Sequence, residues 1–229
     1  MENPWLTFNP HKDAPKFHDL DKAHVQAFNK GIGTRDNYRL AENLEPVPYL
    51  GDPLANILVL LANPGTSDRE DKPDYRMHPA KADQNRRNLK HEDLDSVASR
   101  IHSPDDPEME NEWLRPRIRK VVEDTSLAQV SHGIFLVNFH AYHSKSWHAI
   151  PYTFETQRYS FHLVRKAIGR NALITMSRNM LGWFTAIPEL YDYKNRVSFK
   201  SSRSVHISEK NLGTEVYKDL LMRLRDLDS

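Results

Sequence analysis

The sequence predicts an α/β protein: a three-layer α/β/α arrangement around a central, mainly parallel sheet of four strands. Three observations lead there. Apolar runs such as 57–62 (ILVLLA) are continuous rather than alternating, the pattern of strands covered on both faces. Between such runs lie stretches with apolar residues at helical spacing, so strand and helix alternate along the chain. The chain has 229 residues, 38% of them hydrophobic, enough to bury one core without staples, and residues 1–229 are read as a single domain.

Residues 1–45 are read as an N-terminal arm and a helix. Pro4, Pro10 and Pro15 among scattered aromatics make an irregular arm packed on the surface up to about residue 18. Within 19–43, Ala23, Val25, Ala27 and Phe28 line one helical face, and Gly31 and Gly33 end the helix. Pro46, Pro48 and Pro53 forbid helix and give an extended lead-in to the strand at 57–62. Residues 66–112 are dense in charge, Pro, Asn and Asp; they are read as a polar insertion or lid with one or two short helices within 79–101.

The stretch 111–124 (NEWLRPRIRKVVED) reads as a helix carrying Trp113, Leu114, Ile118, Val121 and Val122, with Pro116 near its start. A second strand occupies 133–142 (GIFLVNFHAY). A helix follows at 156–168, with Phe161, Val164 and Ile168 on one face and Gly169 closing it. Then come a strand at 171–178 (NALITMSR), a helix or turn starting at 180–184 (MLGWF) and a fourth, short strand at 202–208 (SRSVHIS). The last helix spans 214–227, with Thr214 as N-cap and Val216, Leu220, Leu224 and Leu227 inward.

Composition narrows the function. With no cysteine, the chain has no disulfide framework, no thiolate metal site and no cysteine nucleophile. No apolar stretch approaches the ~20 residues of a membrane span, and mean hydropathy is −0.71. The N-terminus lacks a basic-then-apolar leader, so the expected location is the cytoplasm, with no membrane partner. Formal net charge is +1, so any nucleic-acid contact has to come from a local basic patch. Arg86, Arg87 and Lys90 form one such cluster, and Arg115, Arg117, Arg119 and Lys120 another; solvated helix faces give the same pattern.

Open parallel sheets bind ligands beyond the carboxyl ends of their strands. Four segments fall there: Asn63-Pro64-Gly65, Asn138-Phe139-His140, Ser177-Arg178-Asn179 and Ser208-Glu209-Lys210-Asn211. Asn63-Pro64-Gly65 is a turn signal in its own right; it equally suits a short loop whose amides face a ligand. Asn138 closes an apolar strand with a donor and an acceptor side by side, the pattern of a nucleobase edge. The run 140–148 (HAYHSKSWH) is cationic and aromatic and suits phosphate and base. The Ser-x-Lys-Asn loop before a helix suits an anion.

Taken together, these strand ends resemble the uracil-DNA glycosylase superfamily. The stretch 49–65 (YLGDPLANILVLLANPG) is similar to that family's first motif, in which a strand ends in a short loop that places the water-activating residue. Asn63 matches the Asn of the mismatch-specific branch, whose motif is Gly-x-Asn-Pro-Gly; Leu61 stands in place of the first glycine. GIFLVNFHAYHSKSW resembles the second strand, whose closing Asn, here Asn138, reads the base edge. SVHISEKNLG occupies the place of the last motif, His-Pro-Ser or Asn-Pro-Ser followed by Leu-Ser, although no proline follows His206. The resemblance covers about residues 46–225, and the insertion at 66–112 has no counterpart in it.

The resemblance implies a uracil-DNA glycosylase-like fold and a monofunctional DNA glycosylase acting on a damaged, mismatched or modified base flipped out of DNA. Asn63 would orient the water, and His206, or alternatively His140, would steady the departing base. Pro64, Gly65, Asn138, Phe139 and Tyr75 would bind the base, with Phe139 or Tyr75 stacking on it. Ser144, Lys145, Ser208, Lys210 and Asn211 would grip phosphates. No cofactor and no metal is implied. An Asn in place of an Asp activates water weakly, which implies slow turnover or a base that leaves easily. Two other readings are carried forward: a catalytically silent nucleobase-binding or nucleic-acid-binding module of the same fold, and a metallohydrolase using His140, His143 and His148.

Overall fold

The computed structural model describes residues 1–10, 14–66, 79–94, 97, 113–201 and 204–226. Among them the strands are β1 (Tyr49–Leu50), β2 (Ile57–Leu61), β3 (Ile134–Asn138), β4 (Leu173–Met176) and β5 (Arg196–Ser198). The helices are α1 (Lys22–Ile32), α2 (Pro79–Leu89), α3 (Arg115–Asp124), α4 (Leu127–Gly133), α5 (Gln157–Gly169), α6 (Met180–Ala186), α7 (Glu209–Leu212) and α8 (Thr214–Arg225).

The strands form one sheet in the order β1-β3-β2-β4-β5. β1 runs antiparallel to β3; every other pair is parallel. The sheet therefore has five strands rather than the four expected, the extra one being the two-residue β1 at the end of the proline-rich lead-in. β2, β3 and β4 are buried at every position, as their unbroken apolar runs require.

Alternate side chains feed two cores. Leu58, Leu60, Phe135, Val137, Ile174 and Met176 face one side, where α5 and α6 cover them with Phe161, Val164 and Trp183. Ile57, Val59, Ile134, Leu136 and Leu173 face the other, against Ile118 and Val121 of α3, Val130 of α4 and Leu220 and Leu224 of α8. Helices on both faces of the sheet make the three layers. A third cluster joins Phe17, Val25, Phe28 and Leu40 of the N-terminal segment to Tyr142 and Phe154 of the loop after β3.

Four further expectations need correction. The described residues 204–207 pair with no strand; the Ile207 N–H donates to the Arg117 carbonyl of α3 (2.8 Å), and the sheet position beside β4 belongs to β5. The N-terminal arm is not superficial, since Trp5 and Phe8 enter the α5 side of the core. On α1 the inward residues are Val25, Phe28, Asn29 and Ile32, while Ala23 and Ala27 are exposed. At the last helix, Gly213 (φ 94°) caps α8 and Thr214 is its first residue. Leu227 and most of the 66–112 insertion lie outside the described residues; of the latter, α2 is the described helix.

Candidate functional site

The parallel strands run β3-β2-β4-β5, with the first of them in chain order, β2, inside the sheet. The connections leave β2 toward β3 and return past it to β4, so the topological switch lies between β2 and β4. The carboxyl ends of β2, β3 and β4 finish level: Leu61 pairs with Asn138 and Leu60 with Met176. Asn63, Asn138 and Ser177-Arg178-Asn179 thus share one edge of the sheet.

Beyond the sheet, the segments after β2 and β3 keep running side by side. Phe139 N–H donates to the Leu61 carbonyl (3.0 Å), His140 N–H to that of Ala62 (3.3 Å) and Ser144 N–H to that of Pro64 (3.3 Å), and Gly65 and Ser144 form a parallel bridge. The Asn63 amide NH₂ donates to Ser144 Oγ (2.9 Å) and to the Pro64 carbonyl (3.0 Å). Among the described residues its Oδ1 has no partner, so this half-buried side chain is fixed through nitrogen and offers an acceptor. Ser144 O–H donates to the Ser146 carbonyl (2.9 Å) and the residue is buried; it positions Asn63.

Asn138 is 7% exposed. Its Nδ2 donates to the Val47 carbonyl (2.8 Å), which fixes the amide orientation, and its Oδ1 is buried without a partner. A buried acceptor left open costs about 1–3 kcal/mol, so a ligand N–H there would be favourable. Phe139 is half-buried and packs edge-on against Trp183 (5.1 Å between centroids) and Trp147 (6.2 Å). Trp183 Nε1–H in turn donates to the Leu61 carbonyl (3.2 Å), holding that aromatic wall to the end of β2.

The three histidines of this loop differ. His140 Nδ1 accepts the Tyr142 N–H (3.3 Å), which leaves the ring proton on Nε2. Burial, with a smaller push from His143, lowers its pKa from 6.5 to about 3, so it is a neutral donor at pH 7. His143 Nδ1 lies 2.8 Å from the Gly65 carbonyl and Nε2 lies 3.1 Å from the Glu45 carbonyl. Carbonyls only accept, so both contacts are hydrogen bonds when the ring carries both protons. With both nitrogens committed to backbone, His143 does not suit a metal. His148 Nδ1 faces the carbonyl of Ala149, and among the described residues no three potential ligands converge on a metal position.

The N-terminal segment braces this loop. Asp21 is fully buried and accepts from Tyr142 O–H (2.6 Å), Thr156 N–H (3.1 Å) and Thr156 O–H. Ala41 N–H donates to the His143 carbonyl and Val47 N–H to that of Ala141, each at 2.8 Å.

The 204–211 segment is tied to α3 and to the chain after β5: Ile207 N–H donates to the Arg117 carbonyl and Lys200 N–H to that of Asn211. His206 and Lys210 are exposed, and Ser208 is half-buried. The Asn211 amide donates to the carbonyls of Ser204 (2.7 Å) and His206 (3.0 Å) and accepts Ser201 N–H (2.9 Å), so it is spent on scaffold. Among the described residues no hydrogen bond joins this segment to Asn63 or Ser144. Lys145 is exposed beside Ser144. Tyr75 lies outside the described residues.

After β4, Ser177 O–H donates to the Leu60 carbonyl (3.1 Å). Asn179 adopts φ 60° at the start of α6, and its Nδ2 is buried without a partner. Its side chain lies over Gly182, where a Cβ would meet Oδ1 at 2.4 Å. Neither the Asp21 brace nor the open Asn179 amide has a sequence signature; only the position of Asn179 after a strand points to it. No protein-family model, no curated protein and no solved structure matches the chain.

Proposed function

We propose that the protein is a monofunctional DNA glycosylase that hydrolyses the N-glycosidic bond of a flipped damaged, mismatched or modified base. The observation that carries this reading is the pair of amides at adjacent strand ends. Asn63 is held through its nitrogen by Ser144, with Oδ1 open, and Asn138 has a buried, unpartnered Oδ1. Asn138 Oδ1 accepts an N–H from the base edge, and Phe139 supplies an apolar face. Asn63 Oδ1 accepts one proton of a water and aims its oxygen at C1′ of the sugar. The water oxygen bonds C1′ as the C1′–N bond breaks, the bonding pair leaves on the base nitrogen, and the water's proton passes to solvent. The donor to the departing base is assigned to His140, a neutral Nε2–H two residues beyond Asn138, in preference to the exposed His206. The chemistry draws on no cofactor.

A base-release assay tests this. The protein is incubated in EDTA with DNA carrying uracil, mismatched, alkylated, deaminated or hypermodified bases, and free base is measured by mass spectrometry. Release is expected from one substrate class, falling about 10²-fold or more in Asn63→Ala while the circular dichroism spectrum is unchanged. Release that survives Asn63→Ala removes Asn63 from the mechanism.

A silent binding module is the second reading. It is favoured by Asn63 itself, since an amide cannot take the proton of the water it holds. Salt-dependent DNA binding without base release from any substrate would establish it.

A further inference from the structure

We infer that the base edge accepted at this site carries an exocyclic amino group, as in adenine and cytosine derivatives, and that Asn138 selects it against imide edges such as that of uracil. A free carboxamide reads an imide with its donor and its acceptor together. In Asn138 the donor is already committed. Its Nδ2 donates to the Val47 carbonyl at 2.8 Å, and its backbone N–H donates to the Pro48 carbonyl at 2.8 Å. Turning the amide over would set Oδ1 against the Val47 carbonyl, two acceptors face to face, so Val47 imposes this orientation.

The carbonyl that does this is itself held. Val47 N–H donates to the Ala141 carbonyl (2.8 Å), and the Pro46 carbonyl accepts from the Asn85 amide of α2 (3.1 Å). Pro46 and Pro48 flank Val47 and keep its backbone extended. Three successive carbonyls of the proline-rich lead-in are thus engaged, two of them by Asn138. What remains of the Asn138 amide is Oδ1, buried without a partner on a residue 7% exposed. The next backbone N–H groups supply no donor beside it, since those of Phe139 and His140 are committed to the Leu61 and Ala62 carbonyls.

A lone, recessed acceptor discriminates between base edges. An imide N–H is flanked by two carbonyl oxygens that project alongside it, and here they would be driven toward Oδ1 with no Asn138 donor to receive them. An exocyclic amino group stands out from the ring and reaches Oδ1 with one of its two hydrogens. The unmatched carbonyl of the imide loses its hydrogen bond to water and gains none. Asn63 leads to the same class of base from the other end. A water held by an amide is a weak nucleophile, so the base has to leave easily. Alkylation at a ring nitrogen of adenine or cytosine puts a positive charge on the base, which the departing electron pair cancels, and the amino group is kept. The ring face of Phe139, next to Asn138 in the chain, suits such a cation.

That the ligand edge belongs to a base rests on the proposed function; the single acceptor does not. The test uses the full chain and three bases methylated at the nitrogen that would carry the sugar: 9-methyladenine, 1-methylcytosine and 1-methyluracil. Each is titrated into isotope-labelled protein. The Asn138 side-chain NH₂ cross-peaks, identified by their loss in Asn138→Ala, are followed by NMR.

The two amino bases are expected to shift these peaks and to bind about 10-fold more tightly than 1-methyluracil. Asn138→Ala is expected to abolish the preference. The order of affinities in the native chain needs no variant, so the test holds even where Asn138→Ala fails to fold. Equal or tighter binding of 1-methyluracil overturns the selection, as does peaks unmoved by all three bases. A preference that survives in folded Asn138→Ala removes Asn138 as its source. Base release from DNA is scored separately on the native chain. Release confined to uracil or another imide base overturns the selection and leaves the glycosylase reading standing. Binding of the amino bases with no release from any DNA leaves the selection standing and removes the catalysis.

Discussion

The loop after β3 and the turn after β4 border the same edge of the sheet, yet they are held in opposite ways. Along 140–144 every residue is buried, and hydrogen bonds reach it from Asp21, Ala41, Glu45, Val47 and Asn63. Arg178 and Met180 are exposed, Leu181 is 80% exposed, and the Asn179 amide nitrogen lacks a partner. One wall is fixed before any ligand arrives; the other presents charge and apolar surface to whatever comes. A site built this way spends folding energy on placing Asn63 and Asn138, and leaves affinity to the open wall.

That contrast can be broken most severely with acid. His140 has a folded-state pKa of about 3 against an ordinary 6.5, so as pH falls the unfolded chain takes up the proton first. Its contribution is complete above pH 6.5 and lost progressively down to about 3, on the order of 5 kcal/mol in all. His91, lowered to about 4 by burial, acts in the same direction. Urea denaturation at pH 7, 5 and 4 measures the loss, and His140→Gln should flatten the slope. A slope unchanged by that substitution removes His140 as its source.

The next largest effect is expected from Asp21→Ala. It strands the Tyr142 hydroxyl and both Thr156 donors in the interior. A loss of about 3 kcal/mol is expected, or roughly 6–12 °C in Tm, and hydrogen exchange should rise along 140–156 before it rises in the strands. Ser144→Ala removes one hydrogen bond to Asn63 and one to the Ser146 carbonyl. It should cost about 1 kcal/mol in stability but lower base release by more than that loss accounts for, since Asn63 can then rotate. Equal activity would show that Ser144 does not position Asn63. The smallest effect is expected on the open wall: Leu181→Ser should change stability by less than about 0.5 kcal/mol, and any change in DNA affinity sharpens the division between the two walls.

The residues of both walls were partly legible in sequence. β2, β3 and β4 announce themselves because burial on both faces demands an unbroken apolar run, and the strand ends then point to Asn63, Asn138 and Arg178. β5 gave no such signal: it is three residues long and partly exposed, with Arg196 at its start. The more strand-like 202–208 misled because Val205 and Ile207 are apolar for a different reason. They pack on the α3 side of the core, without joining the sheet. Trp5 and Phe8 lacked any periodicity that would give them a direction. The brace on Tyr142 was out of reach altogether, since its partner Asp21 lies 121 residues away and a lone Asp before a helix reads as a cap.

The third cluster also has a consequence for how the chain is made. Phe17, Val25, Phe28 and Leu40 leave the ribosome early, while the rings that cover them, Tyr142 and Phe154, come more than a hundred residues later. Until then the cluster lacks the two rings that complete its cover, and its own aromatic side chains are left partly exposed. A nascent chain stalled before Phe154 should therefore bind a holdase chaperone through its first forty-five residues, and release should coincide with the emergence of α5.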